Sequence, residues 1–152
     1  MDNPYTPPHA AVSDIAPTPK PGWVRLIVAV IISSALALPL AWFVAPPIAQ
    51  AIGRAQGPAT EQEAMTRFLL GDMGISFCIF FLCSLLATHM ARSRPFIAAL
   101  GVSVVGWLVY FVEVGGVTGM LQSVYPLWYE FTPTHFGSGL IAGALASRAR
   151  KS

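Results

Sequence analysis

Apolar and polar positions fall in long blocks along this chain. Leu26 to Ala45 runs twenty residues without a formal charge. Met73 to Met90 runs eighteen with only His89 titratable, and Phe96 to Val117 runs twenty-two with only Glu113. A shorter block extends from Phe136 to Ser147. A helix needs roughly 20 apolar residues to cross about 30 Å of hydrocarbon, so these blocks predict membrane-spanning helices. The expected architecture is all-α, an integral membrane four-helix bundle with helices at about 23–45, 68–91, 95–118 and 134–150. The fourth would span only about 25 Å at 1.5 Å per residue, and crosses if Arg148 snorkels or the bilayer thins.

The punctuation between blocks sets the remaining elements. Residues 1–21 hold six prolines, which remove donors and fix φ, and predict an extended, disordered tail. Pro39 is expected to kink the first helix and Pro46-Pro47 to end it. Ala49-Gln50-Ala51 has the form of a signal-peptide cleavage site, but the preceding apolar run exceeds a 7–15-residue h-region, so a retained helix is expected. Ile48, Ala51, Ile52 and Ala55 recur at helical spacing, as in a short helix lying at the membrane surface. Thr60-Glu61-Gln62-Glu63 matches a capping box, so the second helix can start as early as Thr60, with Gly71 and Gly74 as points of bending. The short basic turn of Arg92, Arg94 and Pro95 makes the second and third helices antiparallel neighbours. Gly115, Gly116 and Gly119 are expected to end the third. The Met120 to Thr134 loop, with Tyr125, Trp128, Tyr129 and Phe131, suits the headgroup layer.

Charge fixes the expected orientation. With four crossings and a cytoplasmic N-terminus, Lys20, Arg25, Arg92, Arg94, Arg148, Arg150 and Lys151 lie inside, and only Arg54 and Arg67 outside. That is the positive-inside pattern, with both termini cytoplasmic, and it predicts a multi-pass protein of the inner (plasma) membrane.

Composition agrees and narrows the function classes. The 152 residues are 55% hydrophobic and 11% charged, and the mean hydropathy is +0.62. An average soluble domain carries about 25% charged residues. The net charge of +2 is too small to argue for nucleic acid and no nucleic-acid motif occurs, so no nucleic-acid partner is expected. The lipid bilayer is the expected solvent. Cys78 and Cys83 lie five residues apart, about 140° around a helix, so they cannot bridge within it. No GxSxG, Walker A, GxGxxG or HExxH occurs, so no enzyme activity is expected.

Small residues mark expected contact faces, because close backbone approach replaces the hydrophobic drive between helices in lipid. Ala29, Ser33, Ala37, Ala41 and Ala45 recur at every fourth position of the first helix. Gly139 and Gly143 form a GxxxG in the fourth, and Gly115 and Gly119 another at the end of the third. Ser33 and Ser34 are expected to bond back to their own helix.

The candidate chemistry lies in intramembrane polar residues, which cost at least about 2.5–3.5 kcal/mol on insertion scales and are functional candidates by default. In the expected topology Asp72, Glu113 and His135 share the outer leaflet, with Arg67 close by. Glu113 is expected to be the deepest acid. Two carboxylates and an imidazole could pass a proton between them. No HxxxH, HxxE or ExxH spacing supports a metal, and no cofactor is expected. His89, beside Arg92, reads as an interfacial residue. The expected function is an accessory or scaffold subunit acting by helix association with other membrane proteins or with itself. The alternative is a proton, ion or small-solute transporter or channel using Glu113 with Asp72 and His135.

Overall fold

In a computed structural model, the structure describes residues 22–92, 94–113, 116 and 132–150. The tail at 1–21, the glycines Gly115 and Gly119 and the aromatic loop up to Phe131 lie outside the described residues. Among the described residues every regular element is helical. Helix α1 is Trp23–Pro39 and α2 is Ala45–Ala55, joined by a π-helical segment, Leu40–Val44. Helix α3 is Glu61–Ala91 and α4 is Pro95–Glu113. A second π segment, Thr132–Gly137, leads into α5, Ser138–Ala149.

The prolines act differently from expectation. Pro46-Pro47 do not end the first helix; they open α2, where the first turn needs no intrahelical N–H donors. The preceding π segment makes this continuity workable. Its wider turn lets the Ala45 N–H reach the Leu40 carbonyl, and the helix continues for 33 residues from Trp23 to Ala55. The short helix expected over 48–55 is thus the second part of one long rod.

Helix α3 starts at Glu61 rather than 68, because the capping box forms. Thr60 Oγ1 accepts from the Glu63 N–H at 3.3 Å, and the Thr60 N–H donates to Glu63 Oε2 at 3.0 Å. The helix passes unbroken through Gly71 and Gly74. Gly71 serves close approach instead: a Cβ there would lie 3.3 Å from the Ala49 Cβ. So α2 runs against the first half of α3. At the hairpin tip, Arg67 Nη1 donates to the Gly57 carbonyl at 3.2 Å.

At the opposite end, α1 starts, α3 stops, α4 starts and α5 stops. The Arg94 guanidinium lies 4.3 Å over the Trp23 ring. Arg150 Nη2 donates to the Thr88 carbonyl at 2.8 Å, capping the end of α3. Gly143 packs on Phe96 and Ala99 at the start of α4. The four rods therefore run alternately up and down.

The interior is built from small and hydroxyl-bearing residues. Ala29, Ala37, Ala87, Ala98 and Ala99 are fully buried, as are Ser33, Ser84, Ser103 and Ser138. Large apolar side chains such as Val24, Ile31, Leu82 and Val112 face outward. This is the reverse of a water-soluble bundle, and it lets backbones touch. A Cβ on Gly101 would fall 2.7 Å from Val30, where α4 crosses α1.

Three helical stretches are long and apolar enough to cross a membrane: Trp23–Ala55, Glu61–Ala91 and Pro95–Glu113. α5 is not among them. Its twelve α-helical residues cover about 18 Å. Counted with the π segment, the fourth helical stretch runs over residues 132–149, and its Thr132, Thr134, His135 and Arg148 make it less apolar than the other three.

Candidate functional site

Sequence reasoning singled out Asp72, Glu113 and His135, and the structure places all three on the wall of one cavity of about 400 Å³. It lies between the first π segment, the middle of α3, the end of α4 and the second π segment. Leu38, Ala41, Trp42, Phe43 and Pro46 form one wall, Asp72, Ser76 and Phe80 the next, then Gly106, Tyr110 and Glu113, then His135.

Local geometry explains how each side chain reaches the cavity. A π turn adds a residue to the normal turn and rotates the following side chains. In the first π segment this turns Trp42 and Phe43 toward the cavity's edge, both partly exposed there. In the second it sets His135 deep among the helices, where it is 4% exposed. The His135 ring lies 4.2 Å, centroid to centroid, from Phe80 at a tilted angle. Its backbone carbonyl accepts from Ser103 Oγ at 2.6 Å and from Ser138 Oγ at 2.8 Å. Gly106 makes this arrangement fit, since a Cβ there would lie 2.5 Å from the Phe80 ring and 2.7 Å from the His135 ring. Phe80 and Gly106 form the cavity floor.

The two acids differ from expectation. Glu113 is not the deepest; it is exposed at the rim, whereas Asp72 is half-buried. Asp72 is the more enclosed carboxylate. Its Oδ1 is shut off from solvent and has no hydrogen-bond partner among the described residues. Arg67 does not join the group, because its guanidinium is drawn to the Gly57 carbonyl at the hairpin tip. His89 is exposed in the last turn of α3, away from the cavity.

No three His, Cys, Asp or Glu side chains among the described residues stand close enough to share a metal ion. Cys78 is an exposed free thiol and Cys83 a buried one. Ser33 and Ser34 do not bond back to their helix; neither hydroxyl has a partner among the described residues. Back-bonding occurs elsewhere, from Ser147 to the Gly143 carbonyl and from Ser103 to that of Ala99.

The packing glycines lie lower in the bundle. At Gly139 a Cβ would strike Ser103 Oγ and lie 3.0 Å from the Ala99 carbonyl oxygen. Gly143 would meet the Phe96 backbone at 3.2 Å. Ser33 and Ala37 are fully buried on the inward stripe of α1.

The aromatic wall went unnoticed in the sequence. Its signal was the interval between Pro39 and Pro46-Pro47, which brackets Trp42 and Phe43. Prolines at both ends of a seven-residue interval force an irregular helical turn, and irregular turns gather at functional sites. The chain matches no protein-family model, no curated protein and no solved structure.

Proposed function

We propose that this chain is a multi-pass protein of the inner (plasma) membrane that carries a proton, ion or small solute through the Asp72–His135–Glu113 cleft. The observation that carries this reading is convergence. Both π segments, both acids and the buried histidine border one cavity, with Asp72 the half-buried carboxylate on its wall. Ionisable groups inside a membrane mark solute or proton paths by default. The small-residue stripes that suggested association with other proteins weigh less, because Ser33, Ala37, Gly139 and Gly143 are consumed in contacts within the chain.

The test is flux. The full chain in proteoliposomes should dissipate an imposed pH gradient faster than empty vesicles, and Glu113→Gln or Asp72→Asn should abolish the difference. Equal rates for the parent and both variants would refute transport at this cleft.

A second reading, an accessory or scaffold subunit, has one observation in its favour. The Trp23–Ala55 rod is about 50 Å long and α3 about 46 Å, so their paired outer ends extend some 15 Å past the hydrocarbon. That hairpin presents Ile48, Ile52 and Met65 outward. A stoichiometric membrane partner co-purifying in mild detergent, and lost with Ile48→Asp, would support it.

A further inference from the structure

We propose that the cleft binds a hydrophobic organic cation of the substituted-ammonium class. This deepens the reading of the cleft as the working site and rests on it.

The lining selects against the other ligand classes in turn. Asp72 and Glu113 contribute carboxylates, and no Lys or Arg lines the wall among the described residues. An anion would meet two negative groups with no Lys or Arg among those residues to pair it. A bare metal ion is poorly served: a hard cation takes six or more oxygen ligands, and no three metal-ligating side chains among the described residues stand close enough to share one ion. A neutral ligand would cover the two carboxylates of the wall without offering either a charge partner.

An ammonium bearing alkyl or aryl groups satisfies both halves of the wall. Its charge pairs with Asp72 and Glu113, and its apolar substituents lie against Trp42, Phe43, Phe80 and Tyr110. Aromatic faces attract such cations through the ring quadrupole, more strongly where water is excluded. The cavity's roughly 400 Å³ falls within the range of about 300–1,000 Å³ typical of small-molecule sites. Its floor, Phe80 over Gly106 with the His135 ring beside it, is aromatic, so an aryl substituent fits deepest. Phe43, 75% exposed, stands at the open side.

Benzyltrimethylammonium is the probe, titrated calorimetrically into the full chain in mild non-ionic detergent. Benzyl alcohol and benzenesulfonate carry the same ring with no charge and with negative charge. Saturable binding of the cation alone is expected. Asp72→Asn should weaken it at least tenfold. Phe43→Ala, at an exposed position that leaves folding intact, should weaken it several-fold. The proposal is overturned if benzyl alcohol binds as well as the cation, if both variants bind like the parent, or if nothing binds. Flux measured on the same preparations separates the two claims. Glu113-dependent proton flux without cation binding sinks this ligand class and leaves transport standing. Cation binding with no Glu113-dependent flux upholds the ligand and removes transport.

Discussion

Gly139→Ala is the sharpest probe of how this bundle is held together. The new methyl group would collide with Ser103 Oγ and stand 3.0 Å from the Ala99 carbonyl oxygen and 3.1 Å from the Ser103 Cβ. Ser103 can turn away, but it then gives up its 2.6 Å hydrogen bond to the His135 carbonyl. The Ala99 carbonyl belongs to the α4 backbone and cannot turn, so α5 must shift outward. Overpacking of this kind costs about 1–3 kcal/mol. A lost hydrogen bond adds about 0.5–1.5 kcal/mol, and we expect about 2–4 kcal/mol in all. Cys83 reports the loss. It is 5% exposed in the core, and a Cys78→Ser background removes the exposed thiol. Where reclosing outpaces labelling, maleimide modification of Cys83 tracks the open population, so 2 kcal/mol speeds it about 30-fold. Adding Ser103→Ala removes the atom that is struck. The double variant should therefore label more slowly than additivity predicts, with a coupling of about 1–2 kcal/mol. Labelling of Gly139→Ala at the parent rate, or strict additivity with Ser103→Ala, would refute this account of the α4–α5 contact.

Four further outcomes follow from named contacts. Thr60→Ala removes the acceptor for the Glu63 N–H and should cost about 1 kcal/mol, seen as faster hydrogen exchange confined to the first turn of α3; unchanged exchange there would discount the cap. Arg150→Ala uncovers the Thr88 carbonyl and should destabilise the bundle by about 1–3 kcal/mol in detergent-titrated unfolding, whereas Arg148→Ala, at an exposed position with no hydrogen-bond partner among the described residues, should change it by under about 0.5 kcal/mol. Gly106→Ala drives a methyl into the Phe80 and His135 rings and should eliminate benzyltrimethylammonium binding while α-helical circular dichroism is retained; retained binding would put the ligand elsewhere. In the parent, maleimide should label Cys78 and spare Cys83 until the protein unfolds, and early double labelling would contradict the burial of α3.

Long-period features were readable from the sequence, and local irregularities were not. Block hydropathy located three long apolar helices because desolvating some twenty residues together outweighs any single side chain. The capping box was legible because it is a four-residue pattern with one geometry. Pro46-Pro47 misled because proline is compatible with both the end of one helix and the first turn of the next. Which applies depends on the carbonyls it leaves unpaired, and the π segment before it resolves them. The depth of Glu113 misled because height within an apolar run does not set which way a side chain faces: Glu113 is exposed at the rim while Asp72 is half-buried. The co-location of Asp72, Glu113 and His135 was reachable because antiparallel helices joined by short turns bring equal heights together. The rings beside them were not, because their direction depends on a turn of abnormal width.

That dependence connects the fold to the cleft. Regular helices that meet through alanine, serine and glycine pack backbone to backbone, as α1, α3, α4 and α5 do in the lower half of the bundle, where Val30 fills the space over Gly101. Such packing leaves no room for a ligand. A cavity requires that one helix deviate at a defined height. Pro39 cannot donate to the Ala35 carbonyl, nor Pro46 and Pro47 to those of Trp42 and Phe43, so the ladder is interrupted on both sides of Leu40–Val44. The π turn is the low-cost repair, and it displaces the rod beside Asp72. The second π segment does the same on the facing side, at His135. Replacing Pro39 with alanine restores a donor and should favour regular α-helix through Leu40. If the deviation creates the cleft, that change should stabilise the bundle while weakening benzyltrimethylammonium binding. Stability and binding rising together would mean that the cavity does not depend on the proline-induced turn.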